Sequence, residues 1–325
     1  MGLFKRKKKA EAPSAPTITI DPCLGDADAR TLRTNLERRD WRAGRDFLVG
    51  VTDPDDRAFY VAACAGVVGL EDWIGEWQDA EPESTLPILV RGARAMYRAG
   101  EERGAAYASQ TSADQLEKFH KWMTFAENCF DEVIERNPDD TTARTCLVTT
   151  SRGRSIQPPE AQRRFDELIA RHPTHLMGHM SRLQYLCEKW FGSHEQMFAF
   201  ARESAAKAPA GNALGVLIPG AHIEKWLRID RTEFDYFKQP EVLAEVNEAA
   251  DRSIRHPDYR RRPGWPTVHN TFALVFCLGD DDRAAAEQFD LIGDLVTEYP
   301  WSYGSGRPAA WFEKVRRLSY GAIGR

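Results

Sequence analysis

FDEVIERNPDD, residues 130–140, returns 35 residues later as FDELIARHPTH, residues 165–175. Phe, Asp, Glu, an apolar pair, Arg and Pro keep the same order from Phe130 to Pro138 and from Phe165 to Pro173. Each copy ends an amphipathic run at a proline, whose ring excludes the preceding residue from the helical basin. The same punctuation recurs as DP at 53–54, AP at 208–209, HP at 256–257 and YP at 299–300. From Pro138 the prolines follow at intervals of 35, 36, 48 and 43 residues. The first two intervals nearly agree and the later two are stretched; a recurrence of this size reads as a stacked repeat, because one unit alone cannot bury its apolar face.

The runs between the prolines are helical in pattern. Leu116, Phe119, Met123, Ala126, Phe130 and Val133 repeat at the spacing of one helix face. Phe165, Leu168 and Ile169 do so after the double proline Pro158–Pro159, which suits a helix start. Phe289, Ile292, Leu295 and Val296 predict a further helix, ending at Pro300. Alternating β-branched runs are scarce after about residue 26. The chain therefore predicts an all-α fold.

Ala126, Phe130 and Pro138, and again Ala161, Phe165 and Pro173, resemble the small residue, aromatic residue and terminal proline of a tetratricopeptide repeat's second helix. That family's period is about 34 residues. The resemblance implies antiparallel helix hairpins stacked in an irregular α-solenoid, with a concave face that holds peptides. It is clearest over residues 115–210. The first-helix pattern of that family is replaced after Pro173 by His179, Met180, Leu183 and Leu186. KWFGSHEQMFAFAR (189–202) and AHIEKWL (221–227) also resemble an uncharacterised family of bacterial helical proteins of repeat-like architecture. That second likeness implies no activity. Its first segment reads locally as a helix corner: Gly192 makes the turn, Ser193 caps the next helix and Gln196 can complete a capping box.

Composition excludes several classes. Hydrophobic residues are 42% and charged residues 29% of 325, as in folded soluble proteins. The net charge is −5, but residues 5–9 (KRKKK) supply five positive charges, and the remainder carries 39 basic against 49 acidic residues. An acidic body argues against nucleic acid as a partner. The six cysteines stand at least 17 residues apart, so zinc-type spacing is absent. They read as reduced thiols of a cytoplasmic protein. The longest apolar run, Phe59–Leu70, is too short for a bilayer.

Residues 1–24 read as a flexible basic, Pro- and Ala-rich tail and residues 25–325 as the helical-repeat domain. Leu3, Phe4, Lys5, Arg6, Lys7, Lys8 and Lys9 offer two apolar side chains beside five cations. A weak contact with an anionic membrane surface is one reading, placing the protein peripherally at the inner membrane face. A solubilising tail is the other.

Within H-P-T-H-L-M-G-H (172–179), His175 and His179 are spaced i, i+4, but Leu176 stands where a zinc protease needs Glu. No metal and no cofactor are expected. His175, His179, Arg182 and Lys189 instead fall along one line of a helix, beside an apolar line of Leu176, Met180, Leu183 and Cys187. The first line predicts a cationic edge that could grip a peptide; a solvated face is its plain alternative. No phosphate-binding loop or nucleophile elbow occurs, and GSGRP (304–308) reads as a linker. The expected function is a protein- or peptide-binding adaptor without catalytic residues. A hydrolase or metal site around His175, His179 and His194 is the alternative from another class. RRRPGW (260–265) is the one basic cluster of the body and reads as a surface loop.

Overall fold

Aspartates and prolines set where the helices begin. The computed structural model describes residues 18–104, 111–229, 235–304 and 306–325. Among these it shows fifteen α-helices, short 3-10 turns and no strand. The first four helices are α1 (Ala27–Glu37), α2 (Trp41–Gly50), α3 (Pro54–Ala65) and α4 (Ile74–Ala80). Then come α5 (Leu86–Arg103), α6 (Ala113–Arg136), α7 (Thr141–Gly153), α8 (Pro158–Ile169), α9 (Leu176–Tyr185) and α10 (His194–Lys207). The last five are α11 (Leu217–Trp226), α12 (Pro240–Arg252), α13 (Trp265–Leu278), α14 (Asp282–Ile292) and α15 (Pro308–Ala322). Asp26, Asp40, Asp53, Asp140 and Asp281 each accept a first-turn N–H, replacing a bond that no earlier carbonyl can supply. Pro54, Pro158, Pro240 and Pro308 open their helices, where a missing N–H costs nothing.

Alternate helices form a row. Each of α3, α5, α7, α9, α11 and α13 touches the next member of that set. The helices between them, α6, α8, α10 and α12, each pack against both flanking members. The repeated residues occupy matched places: Ala126 and Phe130 of α6, and Ala161 and Phe165 of α8, are all buried. α3 departs from neighbour-only packing, reaching α7 and α9 as well as α5.

Among the described residues two large apolar cores result, with a small third one of Val148, Phe165 and Leu168 between α7 and α8. One is built from α1 to α7 around Trp77, Leu89 and Phe130, and the other from α9 to α15 around Phe272, Phe289 and Trp301. The interface of α5 with α6 depends on Gly92, where a Cβ would lie 2.7 Å from Phe130 Cε1 and 2.9 Å from Cys129 Cβ. Gly92→Leu is expected to cost about 1–3 kcal/mol by overpacking, read as a lower urea midpoint. An unchanged midpoint would show that the two helices can separate at this point freely.

Two expectations change. Residues 18–24, assigned to the tail, lie against the body: Ile18 and Cys23 are buried, and Ile18 N–H donates to Glu313 Oε1 at 3.0 Å. α14 stops at Gly293, whose φ of +58° favours glycine, so Leu295 and Val296 pack from a turn and not from a helix running to Pro300. RRRPGW is the surface loop expected as far as Gly264, with Arg260, Arg261 and Arg262 exposed, and Arg262 makes a paired ion contact with Asp53 (2.5 and 2.7 Å). Residues 3–9, the membrane-contact candidates, lie outside the described residues. No helix among the described residues is long and apolar enough to cross a membrane.

Candidate functional site

The row of alternate helices carries a groove of small side chains. α3 contributes Ala58, Val61, Ala62 and Ala65; α5 contributes Ala93, Met96, Tyr97 and Gly100. From α7 come Thr142, Thr145, Cys146 and Thr149, and from α9 Met177 and Ser181. Each set repeats at helical spacing, so one face of every helix turns to the same cavity of about 640 Å³. Small residues let neighbouring helices approach while leaving the face unfilled.

The threonines turn few polar groups to the cavity. Thr145 Oγ1 donates to Thr141 O at 2.9 Å, and Thr149 Oγ1 donates to Thr145 O at 2.9 Å. Thr149 and Ser181 share a hydroxyl hydrogen bond of 2.8 Å across α7 and α9. The hydroxyls of Thr145 and Thr149 are taken up along and between helices.

Two aromatic side chains flank the groove. Tyr97 on α5 is 52% exposed, and Trp190, in the turn after α9, is 41% exposed. Most other tryptophans are packing residues, as their even spread in the chain suggests: Trp41, Trp73, Trp77 and Trp301 are buried. The turn bearing Trp190 is fixed by Gly192, where a Cβ would collide with the Leu186 carbonyl, and by Ser193, which caps α10 through Gln196 N–H (3.3 Å).

The groove end near Trp190 is cationic. Arg152, on the last turn of α7, stands with its guanidinium 5.4 Å from the Trp190 ring centre. Burial pulls its pKa below the usual arginine value. Arg103, at the end of α5, lines the same cavity.

The four residues singled out from the sequence do not line this groove. His175, His179 and Arg182 are 0%, 4% and 5% exposed, which corrects the expected cationic edge. The reason is packing: His179 and Arg182 face Phe165 and Gln162 of α8 and Phe200 of α10, His175 caps α9 against Thr145 of α7, and only Lys189 lies beyond the helix. His175 is the N-cap, its Nδ1 accepting from Gly178 N–H at 3.3 Å. Nε2 therefore carries the proton and donates to Thr145 Oγ1 at 3.1 Å. It occupies the place that Asp140 holds one period earlier. His179 donates from Nδ1 to the His175 carbonyl (2.8 Å) and lies between the rings of Phe165 and Phe200. Arg182 donates to Gln162 Oε1 at 2.5 Å and packs over Tyr185. Lys189 lies beyond α9, with Nζ 2.5 Å from Glu224 Oε2 in an ion pair.

The third histidine of the alternative site, His194, opens α10, with Nε2 3.5 Å from Glu188. No group of three or more His, Cys, Asp or Glu among the described residues is placed to hold a metal ion.

Asp55 ties the mouth of the groove. Its Oδ1 accepts Leu176 N–H (2.8 Å) and its Oδ2 faces His172 Nε2 (3.1 Å). That hydrogen bond raises the His172 pKa. Arg57 crosses to Asp140 (2.8 Å), so the start of α3 is joined to the starts of α7 and α9.

The sequence reading missed Tyr97, Arg103, Arg152 and Trp190. One signal was present. Thr142, Thr145 and Thr149 recur at helical spacing opposite the buried Leu147 and Val148, a polar but uncharged stripe that a solvated face would not need. No family model, curated protein or solved structure matches the chain.

Proposed function

We propose that the chain is a protein- or peptide-binding adaptor of the tetratricopeptide-like kind. Its helix hairpins stack as an irregular solenoid, and the groove on the row of α3, α5, α7 and α9 holds a segment of the partner. The observation that carries this reading is the pair of exposed aromatics, Tyr97 and Trp190, standing over an apolar cavity. Exposed aromatic side chains beside a concave apolar surface are what partner recognition uses, since each buries a large area at small entropic cost. The 35-residue repeat and the row of touching alternate helices support the same reading. No catalytic step is assigned to the protein, and its setting is proposed as cytoplasmic.

A random dodecapeptide display library selected on the full-length protein tests it. Ala62 lines the groove and is solvent-exposed, so Ala62→Trp fills the cavity with little strain on the core. Selected peptides are expected to lose about tenfold or more in affinity for Ala62→Trp. They should bind Val68→Ala, a change at an exposed position outside the groove, like the parent. Failure to enrich any peptide, or equal binding to Ala62→Trp, overturns the reading.

A further inference from the structure

The groove, read as a ligand site in the preceding section, has an uncompensated charge at one end. Among the described residues, the Arg152 side chain makes no hydrogen bond and no ion pair; the Trp190 ring is beside it, and Glu224 acts on it only through space. Arg103 makes one hydrogen bond there, 3.5 Å to the Gly104 carbonyl beside it in the chain. The nearby acids are already matched. Glu224 accepts from Gln184 (2.6 Å) and Tyr303 (3.0 Å) and pairs with Lys189. Glu101, on the groove wall, is held by Arg94 and Arg98 at 3.1 Å each. Among the described residues, neither guanidinium has an ion-pair partner beside the apolar cavity. A partly buried cation without a partner is costly, and a ligand that brings one anion relieves it.

We propose that this end of the groove receives the carboxylate of an aspartate or glutamate side chain in the partner segment. Arg152 takes it on the guanidinium fork, whose paired N–H groups match a carboxylate. Arg103 adds a second positive charge, and the Trp190 ring holds Arg152 in place from the other side. An apolar side chain next to the acid then lies along the Thr and Ala stripe of α3 and α7. A monoanion fits better than a phosphoryl group. The latter carries up to about two charges, and Glu224, acting on Arg152 through space, leaves less positive charge to match them.

The display library serves again, because its peptides are fused to a carrier and offer no free C-terminus. The enriched sequences are expected to carry Asp or Glu at one position beside an aliphatic or aromatic residue. A representative synthetic peptide should lose about tenfold to a hundredfold on Arg152→Gln. Changing its acid to the amide should cost the same, and the two changes together little more than either alone. Arg152→Lys, which keeps the charge but not the fork, should fall between; its unfolding transition, with that of Arg152→Gln, confirms that the variants fold.

Peptides that bind Arg152→Gln as well as the parent, or that lack an acid while still losing affinity for Ala62→Trp, overturn the carboxylate site and leave the adaptor reading standing. A phosphoserine in place of the acid that binds tighter would replace the carboxylate assignment. If no peptide is enriched, the site and the adaptor reading fall together.

Discussion

Replacing Arg94 with alanine is expected to remove about 3–5 kcal/mol of folding stability, a large share of the total for a domain. Arg94 lies on α5 and is 1% exposed. Its Nε and Nη2 grip both oxygens of Glu71 at 2.6 and 3.0 Å. Nη1 and Nη2 reach Glu101 at 3.1 Å each, and Nη1 also donates to the Ala65 carbonyl at 3.2 Å. One side chain thus ties the end of α3, the 3-10 turn at Leu70–Asp72 and α5 itself. Alanine leaves a hole in the core, strips Glu71 of its paired cation and leaves Glu101 with Arg98 alone. Glu71, whose pKa is lowered chiefly by the Arg94 hydrogen bond, then loses the group that keeps it ionised. Arg94→Lys retains a charge but cannot bind two acids and a carbonyl in one plane, so it should recover only part. Urea unfolding of the three proteins measures this. A loss below about 1 kcal/mol for Arg94→Ala would mean that the network contributes little net energy.

The sequence displayed the all-α class because its signals are local. Prolines, N-cap aspartates and 3.6-residue periodicity depend on a few neighbouring residues, and α6, α8 and their capped successors follow from them directly. Ala126, Phe130, Ala161 and Phe165 also revealed which faces are buried. The candidate groove was harder to see. Its wall consists of Ala, Gly and Thr on helices whose opposite face is already apolar, so periodicity marks the core face and passes over the other. The histidine cluster misled for a related reason. At His175 a cap geometry, set by where α9 starts, decides the role, and a line drawn at 100° per residue assumes a helix already under way. Contacts such as Arg262 with Asp53, 209 residues apart, leave no trace in local pattern at all.

Acid should unfold the protein earlier than its carboxylates alone would require. His175 and His269 are 0% and 1% exposed. Burial pushes each pKa down to about 4, against an ordinary value of 6.5. His179 is lowered by burial too. A neutral histidine in the native state that becomes protonated on unfolding contributes its full share above pH 6.5. That share is lost as the pH falls toward 4, because the unfolded chain takes up the proton and the native one does not. His175 and His269 each account for a loss on the order of 3 kcal/mol over that window. His172 works in the opposite sense: its hydrogen bond to Asp55 raises its pKa, so its contribution is present below pH 6.5 and fades as the pH rises through the raised value. One such group cannot offset three. Carboxylates held low by partners, such as Glu245 at about 2 beside His222 and Arg202, enter only below about pH 4.5. Unfolding free energy measured in urea from pH 7 to pH 4.5 should therefore fall with a slope of about 1.4 kcal/mol per pH unit for each buried histidine engaged. His269→Gln removes one titrating group and should flatten the slope by one proton, whatever it does to stability at pH 7. A level profile down to pH 4.5, or a slope untouched by His269→Gln, would show that these imidazoles are not kept neutral by the fold.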